Sequence, residues 1–465
     1  MAAPTGIRDL MTEYAPGGEI DPTLRALLDR ADFDQWAEKV QDARGCAKPV
    51  RLYGSAKLVD STGLVLDEVT GSRFVPCKNR RATVCPSCSA HYGHDTFHLV
   101  RAGMVGGKGV PDTVAGHTQV LATLTAPSFG PVHSRPVRGG RARRCRCGVL
   151  HAEHDARLGA PLDPDGYDYV GSVLWQAHAG ELWRRFTIAV ARHLARRLGI
   201  PASRLRRMLR LSYAKVAEYQ RRGLVHFHAV VRLDGPDGPE GAPPPGLDAD
   251  VLADVIRSAA ASVTVTTPDA PGVGSRDLGW GAQVDVEPIT RACDNATEDG
   301  WNEHGTAGYV AKYATKGTGL TAGADHPLRS AEHIDLIGAP DHVKALMRTA
   351  WELGGLEELA ELRLRKWAHM LGFRGHFLTK SRRYSTTFTA IRRTRAEYRL
   401  DQQRAALGLD DDTQVVMVND WTMTGIGFRH PAERALAALY AEIHLACVRL
   451  DGQPADDDRP PGEGP

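Results

Sequence analysis

The chain has 465 residues, 42% of them hydrophobic and 25% charged, which is the composition of a globular protein with room for two or three domains. Its formal net charge of +2 does not indicate a nucleic-acid partner, and the predominance of arginine over lysine fits either phosphate contacts or a genomic base bias. The N-terminus lacks the pattern of a signal peptide and no apolar run could span a membrane, so we expect a cytoplasmic protein.

Apolar periodicity and turn residues predict a chain in which helices and strands are mixed. Helices are predicted over residues 22–43, with Asp21 as N-cap and Pro22 at the first position, and over residues 171–198, 307–317 and 341–371. Strands are predicted over residues 117–125, 211–220, 224–233 and 283–288. Residues 235–246 form a loop rich in Pro and Gly, and we expect the tail at 453–465 to be disordered.

The first candidate site lies in a hairpin formed by the strands at 211–220 and 224–233. Side chains alternate along a strand, so His226 and His228 in HFHAVV point to the same face, and the turn at 221–223 brings Glu218 back beside them. Two imidazoles and one carboxylate form a half-filled site for Mg²⁺ or Mn²⁺, in which water or a substrate phosphate takes the open positions. The alternative is a surface hairpin with a polar face.

The second candidate site is the segment AGYVAKYATKG. Tyr309 and Tyr313 are four residues apart, so on a helix both project from one face. Lys312 and Lys316 each follow a tyrosine by three residues and flank that face. Tyrosines at this spacing are often core residues, but two overlapping Y-x-x-K units favour a functional role.

The eight cysteines suit metal binding in a reducing compartment better than a disulfide framework. Three of them are spaced C-x₇-C-x₂-C and a fourth lies upstream, which fits a tetrahedral structural Zn²⁺ site. The four candidate ligands are Cys46, Cys77, Cys85 and Cys88. His91 or His94 could replace Cys46, and the alternative is that these are reduced cysteines in ordinary loops.

A second candidate zinc set has the spacing C-x-C-x₃-H-x₂-H and follows the arginine-rich loop SRPVRGGRARR. Its four members are Cys145, Cys147, His151 and His154. His133, which precedes this set, is expected to be a surface histidine, and Cys293 and Cys447 are isolated.

Residues 380–395 form a strongly basic segment with aromatic side chains among the charges. Such a segment can neutralise phosphates and stack on bases, although a solvated basic face is the alternative. The candidate DNA-binding residues are Lys380, Arg382, Arg383, Tyr384, Arg392, Arg393 and Arg395, with Phe388 available for stacking.

Several of these motifs resemble those of the HUH endonuclease superfamily, named for its His-hydrophobic-His motif. HFHAVV is similar to motif II, TLTAP at 123–127 to the motif I strand, and YVAKYATK to the two-tyrosine form of motif III. GCAKPVRLYG, CPSC, ELWRRFT and GYVAKYATKG extend the resemblance over about residues 45–430, to the rolling-circle replication initiators of actinomycete plasmids and integrative elements.

The resemblance implies an enzyme that nicks and rejoins one DNA strand at a replication origin. A metal ion would orient the scissile phosphate, and a tyrosine would form a 5′-phosphotyrosyl bond and leave a free 3′-OH. Tyr313 is the expected initiating nucleophile and Tyr309 the second, although the reverse order is open. The expected partners are plasmid origin DNA, single-stranded at the nick, a host DNA polymerase and a host helicase, since the chain has no P-loop motif.

The expected fold class is α+β, with the HUH-type central antiparallel sheet and flanking helices. We expect a helical and zinc-binding N-terminal region at 1–110, a nicking domain at 111–320 with a Cys/His insertion at about 145–154, and a helical basic region at 321–450. The alternatives are an HUH transposase or relaxase, although the three-His cluster of relaxases is missing, and a non-catalytic zinc-containing DNA-binding regulator.

Overall fold

The computed structural model describes residues 22–290, 301–315, 326–409 and 413–452, which form two compact units. The first unit combines the described residues up to Asp95 with those from Phe388 onward, and the second contains Thr96–Thr387. This division differs from the three consecutive regions predicted from the sequence, because the two ends of the chain share one unit.

The described part of the chain contains helices and antiparallel sheets. The helices are α1 (Pro22–Leu28), α2 (Phe33–Asp42), α3 (Pro86–Val105), α4 (Tyr169–Arg197), α5 (Ala249–Ala261), α6 (Glu303–Thr315), α7 (Glu332–Asp335), α8 (Asp341–Leu353), α9 (Leu364–Trp367), α10 (Phe388–Ala406) and α11 (Pro431–Gly452). The strands are β1 (Val50–Asp60), β2 (Val65–Val75), β3 (Gln119–Leu124), β4 (Val137–Arg138), β5 (Arg141–Ala142), β6 (Arg210–Tyr219), β7 (Val225–Asp234), β8 (Thr264–Thr266), β9 (Asp277–Gly279), β10 (Val284–Thr290), β11 (Trp301–Asn302), β12 (Leu378–Lys380) and β13 (Val415–Ile426).

The first unit is built on a three-stranded antiparallel sheet in the order β13–β1–β2. The C-terminal strand β13 pairs with β1 along its whole length, from Val50↔Ile426 to Asp60↔Val415. A helical stripe on α2 that includes Phe33, Trp36 and Val40 is buried in a core that also contains residues of β2 and α11.

The second unit is built on a six-stranded sheet in the order β11–β10–β3–β7–β6–β12, antiparallel except for the parallel β10–β11 pair. The hairpin β6–β7 lies near its centre, with β3 on the other side of β7. Alternation along β7 turns Phe227 towards α4, where its ring lies 5.8 Å from that of Trp183. His226 and His228 therefore face the opposite side, which α6 covers.

Most predicted elements are confirmed, including the hairpin, the strands at β3 and β10, and the long helix α4. Two predicted helices are interrupted. The helix expected at 22–43 is divided into α1 and α2 by a turn at Asp29–Asp32, and the one expected at 341–371 ends at Gly354 and continues as short helical turns. Asp21 and Gly317, the expected limits of two helices, lie outside the described residues. Among the described helices, none is long and apolar enough to cross a membrane.

Candidate active site

The hairpin brings a carboxylate and two imidazoles together on one face of the sheet. Glu218 on β6 lies directly opposite His226 on β7, so both side chains point the same way. The Glu218 Oε2 atom lies 2.8 Å from His226 Nε2 and 3.2 Å from His228 Nε2, and the two Nε2 atoms are 3.1 Å apart. Three potential ligand atoms thus converge on one point.

A neighbouring strand fixes the orientation of the deeper histidine. Thr123 on β3 lies opposite His228, and its Oγ1 is 3.0 Å from His228 Nδ1, which leaves Nε2 turned towards Glu218. Thr123 is not among the site residues predicted from the sequence, although it lies in the TLTAP strand. The side chains of Glu218 and His226 are 14% and 16% exposed, whereas that of His228 is 3% exposed, so a ligand would reach the site from the side of the first two.

Helix α6 places both tyrosines against His228. The hydroxyl of Tyr309 lies 3.3 Å from His228 Nε2, and the ring of Tyr313 is stacked on the His228 ring at a centroid distance of 5.2 Å. The two tyrosine rings contact each other at 4.4 Å. Lys312 is exposed on the same helix, and Lys316 lies outside the described residues. The arrangement can hold one cation beside two phenol groups.

The first cysteine set forms a cluster in the first unit. The Sγ atoms of Cys46, Cys77, Cys85 and Cys88 all lie within 4.8 Å of one another, so neither His91 nor His94 is needed to complete the set. The Cys77–Cys88 and Cys46–Cys88 separations are 3.7 Å and the Cys46–Cys85 separation is 3.8 Å. Backbone N–H groups of Ala47 and Cys77 donate to the sulfurs of Cys85 and Cys46.

The second Cys/His set differs from the one predicted. Cys145, Cys147 and His151 cluster with His133, whereas His154 is exposed and is not part of the group. The prediction of His154 as a ligand and of His133 as a mere surface residue was therefore wrong. The local spacing of the motif suggested His154 as the fourth member. The chain folds back, however, and pairs the His133 backbone with Gly159 and Ala160, which brings His133 to the cluster.

The basic segment at 380–395 is not a continuous exposed face. Tyr384 is completely buried, its hydroxyl donates to the carbonyl of Val100 at 3.0 Å, and the guanidinium of Arg232 lies over its ring. The prediction that this ring stacks on bases was therefore wrong.

The charged residues of the segment divide between ion-paired and exposed ones. Arg392 and Arg395 both bind the buried carboxylate of Asp95, and Arg393 lies 3.4 Å from Glu397. Lys380 is half-buried, and burial lowers its pKa. Arg382 and Arg383 are exposed, and Arg383 donates to the carbonyl of Asp237.

Comparison with known proteins identifies the class to which the chain belongs. The model of the RepSA family, described as "Replication initiator protein, pSAM2", matches residues 32–442. Because the match covers most of the chain, this protein belongs to that family of replication initiators.

A particular relative supports the same assignment. The chain is 45% identical over 444 residues to a protein of Streptomyces ambofaciens named "Replication initiator protein", a match that covers 92% of this chain and 94% of that protein. These findings confirm the resemblance to actinomycete plasmid initiators that the sequence motifs indicate. No solved structure matches the chain.

Proposed function

We propose that this protein starts and ends rolling-circle replication by nicking and rejoining one strand of plasmid origin DNA, as an HUH-type endonuclease. The observation that carries the proposal is the convergence of Glu218, His226 and His228 at one point, with the Tyr309 hydroxyl 3.3 Å from a His228 nitrogen. Membership of a replication-initiator family supports a role in replication. The histidines of β7 and the tyrosines of α6 are the residues that the nicking reaction requires.

The spacing of the three ligand atoms supports Mg²⁺ or Mn²⁺ as the ion. Adjacent ligands of an octahedral ion with bonds of 2.0–2.1 Å are about 2.9 Å apart. The observed separations between Glu218, His226 and His228 are 2.8, 3.1 and 3.2 Å, which fits one face of an octahedron. Glu218, His226 and His228 would hold this ion, and it would neutralise negative charge on the scissile phosphate.

The tyrosines supply the nucleophiles. A phenol oxygen attacks the phosphorus, the bond from phosphorus to the 3′-oxygen breaks, and the phenol proton is lost while the 3′-oxygen gains one. The product is a 5′-phosphotyrosyl bond and a 3′-OH that primes the host polymerase. Because the bond energy is conserved, rejoining needs no ATP. Lys312 and Lys316 add positive potential that favours the phenolate.

Two tyrosines on one helix face allow two successive cleavages. The first is esterified to the DNA end during replication, so releasing a unit-length circle needs a second nucleophile. Tyr313 carries the Y-x-x-K unit at the end of the motif and is assigned the first cleavage, and Tyr309 the second. Both rings contact His228, so both tyrosines lie beside the residues that would hold the ion.

The first cysteine cluster is assigned to a structural Zn²⁺ ion. Four thiolates at tetrahedral corners, 2.3 Å from zinc, are about 3.8 Å apart. The Cys77–Cys88, Cys46–Cys88 and Cys46–Cys85 separations of 3.7, 3.7 and 3.8 Å fit this value. The N–H groups that donate to two of the sulfurs stabilise the thiolate form. The ion would tie Cys46, before β1, to the start of α3.

DNA nicking with matched histidine variants tests the proposed function. The His226→Ala variant should lose at least about 100-fold in the rate of nicking of a supercoiled origin plasmid with Mn²⁺, because the ion loses an accessible ligand. His376→Ala, an exposed histidine elsewhere in the second unit, should nick at the wild-type rate. A wild-type rate for His226→Ala would refute the metal-dependent mechanism, and the thermal stability of both variants shows whether they fold.

A further inference from the structure

The group formed by His133, Cys145, Cys147 and His151 has the geometry of a tetrahedral metal site. A zinc ion bound by two sulfurs and two nitrogens sets neighbouring nitrogens about 3.3 Å apart and sulfur–nitrogen pairs about 3.6 Å apart. His133 Nδ1 lies 3.3 Å from His151 Nε2, Cys147 Sγ lies 3.3 Å from His151 Nε2, and Cys145 Sγ lies 4.0 Å from His133 Nδ1. His133 and His151, which are 18 positions apart in the sequence, therefore lie side by side. The segment between them is called the His133–His151 excursion.

The surroundings of these side chains are those of a metal site. His151 Nδ1 lies 2.7 Å from a carboxylate oxygen of Asp155, an arrangement that fixes the ring and turns Nε2 towards the other three ligands. Arg157 holds that carboxylate in place with two further hydrogen bonds from its side chain. The N–H of Ser134 donates to Cys145 Sγ, as expected for a thiolate ligand.

Between the ligands the chain forms a small arginine-rich hairpin. The strands β4 and β5 are joined by Gly139 and Gly140, whose φ angles of +57° and +70° fit the tight turn of a hairpin. Residues 131–152 contain no Asp or Glu and six arginines, all of them exposed: Arg135, Arg138, Arg141, Arg143, Arg144 and Arg146.

The charge on this hairpin is not balanced within the described part of the chain, where none of the six arginines forms an ion pair with a carboxylate. Arg138 lies directly opposite Arg141 across the two strands. Like charges at such positions repel each other and destabilise a hairpin unless an anion lies between them. Two arginines at directly opposed positions can bind one phosphate group between them.

The segments on either side of the His133–His151 excursion contact the turn that joins β6 and β7. Arg221 donates to the carbonyl of Glu153 at 2.7 Å, and Arg222 donates to the carbonyls of Ala126 and Pro127 at 2.8 and 2.9 Å. Gly159 has φ +90° and lies so close to the Arg221 backbone that a Cβ would clash with it. Glu218 lies next to the end of β6 and three residues before Arg221, so the chain separates their Cα atoms by no more than about 10 Å.

We propose that His133, Cys145, Cys147 and His151 bind a second zinc ion, which clamps the β4–β5 hairpin so that its arginines hold the phosphate backbone of DNA beside the nicking site. The proposal rests on the proposed function for the identity of the partner. The zinc ion is structural, and the hairpin contributes affinity that does not depend on base sequence.

Zinc content tests the ligand set. Freshly purified wild-type protein should contain two zinc ions per chain by elemental analysis, one in each cluster. His133→Ala should lose one of them, and the matched control His154→Ala, which changes the predicted but exposed histidine, should keep both. Retention of both ions by His133→Ala, or loss of one by His154→Ala, would overturn the assignment.

DNA binding tests the role of the hairpin. For the double variant Arg138→Glu/Arg141→Glu, affinity for a duplex of random sequence should fall at least about 10-fold, and the slope of log affinity against log salt should become shallower by about 2, since two phosphate contacts are lost. Arg206→Glu/Arg207→Glu changes two exposed arginines of the same unit by the same charge and is the control. Equal losses in both double variants would show a general charge effect and overturn the proposal.

Zinc content and DNA affinity test the hairpin proposal independently of the nicking reaction, because both are measured without Mn²⁺ and without cleavage. If the wild type forms no covalent adduct with DNA, the proposed function fails, while zinc content and salt dependence still decide the role of the hairpin. If the wild type nicks DNA and the hairpin double variant keeps its affinity and salt slope, the hairpin proposal fails alone.

Discussion

Neighbouring residues of the β6–β7 hairpin have different environments because they face opposite sides of the sheet. Glu218, His226 and His228 face α6, whereas Lys215 and Phe227 face the core beneath α4, where the Lys215 ammonium lies 3.7 Å from the centre of the Phe227 ring. Alternation along the strands could be predicted from the sequence, and the position of Glu218 beside the histidines followed from the expected turn. The contact between Thr123 and His228 could not be predicted, because it depends on the pairing of β3 with β7.

Burial gives Lys215 a pH-dependent effect on stability. Burial lowers the pKa of Lys215 to about 7 from its usual 10.5. Between these values the unfolded chain binds more protons at this residue than the folded chain, so its unfavourable contribution decreases as pH rises from about 7 to 10.5. Lys215→Met should therefore raise the free energy of unfolding at pH 7 by about 1–3 kcal/mol, with a smaller gain at pH 10.

Chemical denaturation at several pH values measures this effect. Lys366→Met changes an exposed lysine of the same unit and should leave the free energy of unfolding nearly unchanged at each pH. A Lys215→Met variant less stable than the wild type at pH 7 would show that contact with the Phe227 ring outweighs the cost of burial.

At the scale of elements, sequence periodicity predicted most of the helices and strands. Tertiary contacts explain the features that periodicity did not predict. Tyr309 and Tyr313 share a helix face as their spacing requires, but only the packing of α6 over β7 brings that face to His228. Tyr384 lies among basic residues in the sequence, yet Arg232 and Gly103 form the pocket that encloses its ring. Charge in the sequence does not show which side of a segment is buried.

The burial of Tyr384 predicts an effect on stability. Tyr384→Ala should lower the free energy of unfolding by about 3–5 kcal/mol because it leaves a large cavity, and Tyr384→Phe should lower it by about 1 kcal/mol through loss of the hydrogen bond to Val100. Arg382→Ala changes an exposed neighbour and serves as control. Urea denaturation gives these values, and a Tyr384→Ala variant as stable as the wild type would contradict the buried position.

At the scale of the molecule, the sequence predicted the replication-initiator family but not the arrangement of its units. Pairing of β1 with β13 joins residues more than 350 positions apart, and no local pattern indicates such a contact. The cysteine cluster of the first unit was predictable because its C-x₂-C spacing is local, with Cys46 added as an upstream thiolate. The clustering of His133 with the second set was not, because it depends on the path of the chain between 133 and 160.

If the first cysteine cluster binds zinc as proposed, loss of that ion should destabilise the first unit. Cys88→Ala should remove one zinc ion per chain and lower the melting temperature by about 10 °C or more, because metal binding contributes directly to the free energy of folding. Cys293→Ala, which removes a cysteine isolated in the sequence, should change neither the zinc content nor the melting temperature. Zinc analysis and calorimetry of the two variants test this, and a Cys88→Ala variant with full zinc content would exclude Cys88 as a ligand.

The most direct test of the proposed nicking mechanism is to incubate the purified protein with single-stranded origin DNA and Mn²⁺. The measurement is whether the protein becomes covalently joined to the DNA through a tyrosine of α6. We expect the wild type to form a phosphotyrosyl adduct, Tyr313→Phe to lose it, and Tyr309→Phe to nick but release circles poorly. Mapping of the adduct to Tyr309 alone would reverse the order of the two cleavages and leave the mechanism unchanged. An adduct formed by the Tyr309→Phe/Tyr313→Phe double variant would contradict the assignment of both nucleophiles.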